Sequence, residues 1–474
     1  MTITPFGWFY LTIMLCIVVW RRAWLPGFLP LAACLHAPAV VVVGLDSVHS
    51  GYGITPWHAT CLLLVATMMF PLRAGLSRLS SIPPATRGLL LGWTAFTVVG
   101  VISAFVLPLL FEGVLTYDNQ EIENIAQGTK PVELRPGNAA QAGNLLVAWM
   151  VLVCGALALP QRNRSELFLN GFTAAAAVSL FLSASQRLLL VWGLDPFQVA
   201  AHSLNPGYDH VLGYLFARDG IRVGWPFSEP SYASAWFASI AISGLASWLW
   251  LGHARGILLL AAGAAGLANS FSGTGVMVAL LCAAATLGLA IARARAVDRH
   301  VVARTRGFCL ASLGVLALAV SVASQLELSH PNVGTRNVAE AAMEYLENRL
   351  KDPLSSEPSR WQSNVRAAEI VGETYGLGVG LGSNRASSYG FNLASNVGVL
   401  GTALFFAALI GGWRALLRLD VAPELRAILL AGGGTMFLAV NVGIPDLLWP
   451  AWWVWPIVGF WVISDADQTP RAVA

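Results

Sequence analysis

The chain is predicted to be an all-α, polytopic integral membrane protein, and three observations predict it. Of 474 residues, 56% are hydrophobic and 11% are charged, against roughly 25% charged residues in a soluble domain. The charges are clustered, with Arg-rich stretches separating long runs that carry none, which is the pattern of loops and spans. About thirteen of those runs approach the roughly 20 apolar residues a helix needs to cross hydrocarbon.

In chain order the runs are 5–20, 27–45, 56–72, 88–111, 143–160, 167–193, 231–251, 256–271, 274–292, 308–324, 394–413, 427–442 and 447–463. The first has no basic segment ahead of it and no small-residue cleavage site after it, so it reads as a retained span. Alternation through these spans gathers Arg21/Arg22, Arg73/Arg78/Arg87, Arg162/Arg164, Arg255, the 293–306 cluster and Arg414/Arg418/Arg426 on one side. Short basic loops stay cytoplasmic, so the expected orientation is N-terminus outside and C-terminus inside. The short connections on the opposite side, 46–55, 270–273 and 444–446, hold no Lys or Arg.

Three outer segments are long, 112–141, 194–230 and 326–393, and loops of that length are usually functional. The layout divides into ten spans in 1–325, a large outer loop with helices in 326–393, and three spans in 394–474. Within that loop, Val338, Ala342 and Tyr345 recur at helical spacing, and Ser356-Glu357-Pro358 starts a second helix that runs to Tyr375. On the latter, Trp361, Val365, Ala368 and Gly372 form an apolar stripe, and Gln362, Arg366, Glu369 and Glu373 a polar one.

The net charge of +3 is small and scattered, which removes nucleic acid as a partner. All six cysteines lie in apolar runs without a CxxC pair. A zinc site made of Cys34, His36, His58 and Cys61 would have to bridge roughly 10 Å of depth, so these read as buried small side chains beside unrelated histidines. No acidic cluster suited to Mg²⁺ or Ca²⁺ stands out, and no cofactor or metal is expected.

Polar residues at a membrane boundary are costly and point to function. One cluster is Arg222-Val-Gly-Trp-Pro-Phe-Ser-Glu229-Pro230-Ser231-Tyr232, which places a cation and a carboxylate at the start of a span. The plainer alternative is that Glu229 and Ser231 only cap that helix. A second is Gly376-Leu-Gly-Val-Gly-Leu-Gly382-Ser383-Asn384-Arg385, followed by Ser387, Ser388, Asn392 and Asn396. Alternating glycines can present backbone N–H groups to an anion beside Arg385; the plainer alternative is a flexible re-entry loop. The spacing is not the dinucleotide fingerprint. Arg187, near the outer end of its span, either snorkels or faces a cavity, and Arg360 begins the loop helix. His202, His210 and His330 are outer-loop histidines without a recognisable setting.

At these clusters the sequence resembles the O-antigen polymerase and ligase superfamily, whose members act on undecaprenyl-diphosphate-linked sugars. The likeness rests on the Arg222…Glu229-Pro-Ser segment, the Asn269-Ser-Phe-Ser-Gly-Thr-Gly hairpin, and the order Arg360-Trp…Glu369…Gly376-Leu-Gly…Asn396-Val-Gly-Val-Leu-Gly401. It covers about 222–401, and the many-span layout with one large late loop extends it. The resemblance implies a glycosyltransferase-C-like fold and a polysaccharide polymerase that joins lipid-linked repeat units on the extracytoplasmic face. It further implies that Arg222, Arg360 and Arg385 hold the diphosphate, with Arg366, Arg187, Ser383 and Asn384 as further substrate contacts. Glu229 is expected to act as the base or to orient an arginine. A chain-length regulator and a flippase of the same pathway are the implied protein partners. Ser387-Ser388 stands where ligases of the superfamily carry a His-Asn pair, which favours the polymerase branch over a ligase. A flippase, from a different class, is the other alternative; it would show charged or broken-helix features at mid-membrane or internal repeats.

Overall fold

A computed structural model describes residues 2–43, 52–69, 82–117, 129–157, 163–191, 223–270, 272–294, 303–304, 327–330, 334–337, 357–444 and 446–468. The expected span 308–324, the helix around Val338–Tyr345, and Arg222, His202 and His210 lie outside them. Thirteen α-helices are described: α1 Pro5–Arg21, α2 Leu25–Cys34, α3 Pro56–Met69, α4 Pro84–Leu110, α5 Pro136–Leu157, α6 Arg164–Val191, α7 Pro230–Leu251, α8 Ala254–Ser270, α9 Gly273–Ala294, α10 Glu357–Glu373, α11 Tyr389–Arg418, α12 Pro423–Gly443 and α13 Pro450–Gln468. Eight helical stretches among the described residues are long and apolar enough to cross a membrane, Pro5–Cys34 counted as one. The protein is an all-α membrane protein.

The Pro5–Cys34 stretch does not run straight. Thr2–Ile3 (β1) pair antiparallel with Val41–Val43 (β2), which pair in turn with Tyr52–Ile54 (β3). The chain therefore turns at Arg22–Trp24 and returns to the end from which α1 started. The expected second span over 27–45 is corrected: its helix stops at Cys34, and the β-branched residues Val41–Val43 form a strand instead. Two further ribbons, β4 Leu115–Thr116 with β5 Lys130–Pro131 and β6 Glu327–His330 with β7 Gly334–Asn337, fall in the long connections 112–141 and 326–393.

Helix α7 is the central post. Every residue from Tyr232 to Ser247 is buried, and most are Ala, Ser or Gly. Small side chains let backbones approach, which is how helices associate where lipid removes the hydrophobic driving force. Gly256 lies directly under Gly244 O and Trp248 N, and Gly263 under Ala241, so α7 and α8 touch backbone to backbone. Ser243 and Ser247 return their hydroxyls to Ser239 O (2.7 Å) and to Glu424 Oε1 of α12 (3.3 Å).

The two ends of the bundle differ. At the end that holds the arginine-rich connections, charges are paired: Arg255 donates to Glu166 (2.7 Å) and Glu424 (3.3 Å), and the buried Arg164 to Asp465 (2.8 Å). Asp467 accepts from the N–H and Oγ1 of Thr86. These contacts tie the first turns of α4, α6, α8 and α12 to the last turns of α7 and α13. The opposite end carries the candidate residues.

Candidate functional site

At that opposite end, Glu229 precedes α7 with extended backbone (φ −142°, ψ 151°), the N-cap position, yet its side chain makes no capping bond. Its carboxylate accepts instead from Ser231 Oγ (3.0 Å), so helix capping does not account for the acid. The segment before it is clamped. Phe227 N–H donates to Gly224 O (2.8 Å), and Ala37 N–H donates to Pro226 O (2.9 Å). Ser228 Oγ meets His36 Nδ1 (3.2 Å), the His36 ring stacks on Tyr232, and Tyr232 sits edge-on to Trp449 at 4.9 Å. The α2–β2 linker and the start of α13 thus hold the Glu229 turn in place.

The turn between α12 and α13 brings in Asp446, which the sequence reading passed over. Burial raises its carboxyl above the ordinary value; the Leu448 N–H and the Arg385 charge pull it down, and the Glu229 charge pushes it up. Glu229 and Arg385, 156 positions apart in the chain, therefore both lie within electrostatic reach of one carboxyl. Among the described residues none of the three closes an ion pair. Arg360 comes to the same turn from α10: its guanidinium lies against Gly443, where a Cβ would stand 3.1 Å from Nη1 and 3.4 Å from Thr274 Oγ1. Gly443 and Asp446 belong to one turn, and Thr274 belongs to the α8–α9 hairpin singled out in the sequence.

The glycine segment departs from expectation. Its N–H groups cannot cradle a ligand, because each from Gly376 to Arg385 already has an acceptor inside the protein. Gly376, Leu377, Val379, Gly380 and Arg385 donate to the carbonyls of Val371, Thr374, Ser395, Asn396 and Tyr117. Gly378 donates to Thr374 Oγ1 and Leu381 to Ser103 Oγ. Gly382, Ser383 and Asn384 all converge on Asn396 Oδ1 at 3.0–3.2 Å. Ser383 Oγ accepts from Asn138, and Asn384 is fully buried, donating to Ser395 Oγ. Ser383 and Asn384 are scaffold residues; the nest they were expected to offer an anion is filled by an amide oxygen of the same chain.

The segment docks so closely because α11 is broken there. Gly398 (φ 72°, ψ −179°) occupies a region open essentially only to glycine. The break frees the carbonyls of Ser395 and Asn396 and the N–H of Val399, and the glycine segment takes all three, the last through Gly376 O (2.8 Å). Non-helical backbone at membrane depth must be satisfied by protein in this way. A Cβ at Gly380 would meet Pro108 and Ser103 of α4 at 2.6 and 2.8 Å, so the segment is wedged against that helix too. Beyond it, Ser387 N–H donates to Ser363 Oγ and Ser388 N–H to Asn364 Oδ1 of α10, which fixes Arg385 between two anchored strips.

Two of the expected cations are already occupied. Arg366 donates to Leu115 O (2.9 Å), Glu369 (2.9 Å) and Glu373 (2.6 and 2.7 Å), pinning α10 to β4. Arg187 donates to Asn269 Oδ1 (2.9 Å) and Asn269 O (2.6 Å), closing the last turn of α8. The α10 stripe is also corrected: the packed face is Ser363, Ala367, Ile370 and Thr374, and Trp361 (69% exposed) and Val365 face outward. Arg222 lies outside the described residues, seven positions before Glu229. Among the described residues no group of three or more His, Cys, Asp or Glu side chains could hold a metal. No known family model matches the chain, and no curated protein matches it significantly.

Proposed function

We propose that the chain is a polysaccharide polymerase joining undecaprenyl-diphosphate-linked repeat units at the extracytoplasmic face of the inner membrane. The observation that carries this reading is that the charges of Glu229 and Arg385 both reach the buried Asp446 at the bundle end opposite the arginine-rich loops, with Arg360 beside the same turn. Glycosyl transfer from a lipid diphosphate needs two things there. A carboxylate takes the proton of the acceptor hydroxyl as its oxygen attacks the anomeric carbon, and cations offset the charge that grows on the diphosphate as the carbon–oxygen bond breaks. Glu229 and Asp446 supply the first. Asp446 is buried and its carboxyl held above the ordinary value, and Glu229 either takes the proton or orients Arg385. Arg385, Arg360 and Arg222 supply the second, with planar forks suited to phosphate oxygens. Cations in this number offset the leaving group's charge without a metal. A many-span layout with one large outer loop, as the sequence suggests, supports such a site at the face where lipid-linked sugars are presented.

One observation favours the other class. The break in α11 is a feature of transporters, whose unwound helices line substrate paths. Here the freed backbone is bound by the glycine segment, which argues for a rigid support. Replacing Glu229 or Arg222 by Ala separates the readings. A failed polymerase leaves single repeat units outside the cytoplasm, and a failed flippase leaves them inside; the latter outcome overturns the proposal.

A further inference from the structure

Helix α10 turns an apolar stripe away from the protein. Ser363, Ala367, Ile370 and Thr374 pack inward. Trp361, Val365, Ala368 and Gly372, on the opposite side of the helix, are all exposed, and a Cβ at Gly372 would meet nothing within 4 Å. Tyr375 and Leu377 continue the stripe beyond the helix, Tyr375 at 91% exposure. On one flank Glu369 and Glu373 hold Arg366 in ion pairs. An apolar stripe beside a polar flank suits a helix that lies at a membrane surface.

Hydrogen bonds fix how deep α10 lies. Its first turns meet the start of α11, where Ser387 N–H donates to Ser363 Oγ (3.2 Å) and Ser388 N–H to Asn364 Oδ1 (2.9 Å). Its far end meets α11 just past the break, where Val399 N–H donates to Gly376 O (2.8 Å). Helix α10 therefore runs beside α11 from Tyr389 to Val399, about 15 Å at the helical rise. With 30 residues, α11 is about 45 Å long, about 15 Å more than the hydrocarbon core of a bilayer. Arg414 and Arg418 mark its opposite end, so the first turns of α11, with α10 beside them, stand at the headgroup layer. There the stripe runs into the outer surface of a span: the Gly376–Leu377 backbone lies against Gly398 and Val399, and Val399 and Leu400 are exposed on a helix of membrane-spanning character.

We propose that the outward stripe of α10 is seated in the membrane interface, against the bilayer lipid that surrounds the adjoining half of α11. Lipid is the occupant because the stripe and the exposed side of α11 form one apolar surface at that depth. Trp361 and Tyr375 are residue types enriched at headgroup level. The contact is apolar, since the flank carries carboxylates and offers nothing to an anionic headgroup. Arg360 stands in the first turn of α10 with its guanidinium against Gly443, so the seat also holds that arginine at the turn between α12 and α13. The inference does not depend on the proposed activity.

The test uses the full chain in nanodiscs with p-benzoylphenylalanine introduced at one position at a time. Val365→p-benzoylphenylalanine and Ala368→p-benzoylphenylalanine probe the stripe, the same change at Leu400 serves as the lipid-facing reference, and at Gln362 it probes the polar flank. After irradiation, mass spectrometry of the tryptic peptides reads phospholipid adducts. Val365 and Ala368 should give adducts at the level of Leu400 and several-fold above Gln362, equally in phosphatidylcholine and phosphatidylglycerol discs. Both stripe side chains are exposed, so replacing them leaves the packed face intact, and either position decides alone. Stripe adducts no higher than those at Gln362 while Leu400 is labelled, cross-linked pairs of the chain formed from the stripe positions, or adducts confined to phosphatidylglycerol discs overturn the proposal.

Discussion

Asn396 is the residue on which the support of Arg385 depends most. Its Oδ1 accepts three backbone N–H groups and its Nδ2 donates to Asn384 O, Asn392 O and Asn392 Oδ1. In Asn396→Ala, Ser383 N–H keeps a partner in Gly380 O (3.0 Å), but the N–H of Asn384 is orphaned at a buried position and that of Gly382 at a partly buried one. The buried Asn384 N–H alone costs about 1–3 kcal/mol, before Gly382 and the Asn384 carbonyl are counted. Two assays read it. The apparent Tm of purified protein in detergent, followed by tryptophan fluorescence at one scan rate, should fall by several degrees. Trypsin should cut after Arg385 in the variant, because the strip is released from α11, and should spare it in the wild type. A variant that melts with the wild type and stays uncut at Arg385 refutes the claim that this amide pins the segment.

Gly398→Ala should produce the same two signatures, since a Cβ there would stand 2.5 Å from the carbonyls of Gly376 and Leu377 at a φ of 72°. Because both changes release one segment, the double variant should lose less than the sum of the single losses. Arg366→Ala should lower stability by less than about 1 kcal/mol, as its partners are exposed, and leave turnover unchanged; a large loss of turnover would return Arg366 to the site. For Asp446, whose carboxyl is raised, the fold favours the protonated form. Its contribution to stability is therefore present below the ordinary carboxyl pKa and lost as pH rises through the raised one. Glu229→Gln should move the Asp446 midpoint to lower pH and Arg385→Ala to higher pH, read as the carboxyl band in an infrared titration; shifts of the opposite sign would separate the three groups.

The sequence made the spans legible because hydrocarbon imposes one requirement on every crossing helix: α3, α4, α6 to α9 and α11 to α13 begin and end within about five residues of the apolar runs, and α5 starts seven residues early. It misplaced α2 because Val40–Val43 is as apolar as a helix but β-branched, and the strand that pairs with Val41–Val43, Tyr52–Ile54, comes later in the chain. It chose the wrong face of α10 because the side that packs is marked by Ser363 and Thr374, small polar residues whose hydroxyls bond backbone, while Trp361 stands outside. The break in α11 was hidden in Val397-Gly-Val-Leu-Gly401, an apolar run that reads as continuous helix; the signal was the pair Asn392 and Asn396, one turn apart inside a span. Asp446 was missed because a lone acid in a short turn has no motif, and its neighbours Glu229 and Arg385 come from elsewhere in the chain. The nest of N–H groups was read correctly as a feature and wrongly as a vacancy, since only the fold supplies Asn396 Oδ1.

The central claim is that Glu229, Asp446 and Arg385 form one site that transfers sugar from a lipid diphosphate. The measurement that reaches it directly is a reconstituted reaction of the purified protein with lipid-linked repeat units, run with and without chelator and resolved by product length. The expected result is a ladder of joined units that chelator does not abolish and that Arg385→Ala or the pair Glu229→Gln/Asp446→Asn removes while the proteins stay folded. Single units that remain unjoined with the wild type, or a ladder untouched by those substitutions, would contradict it.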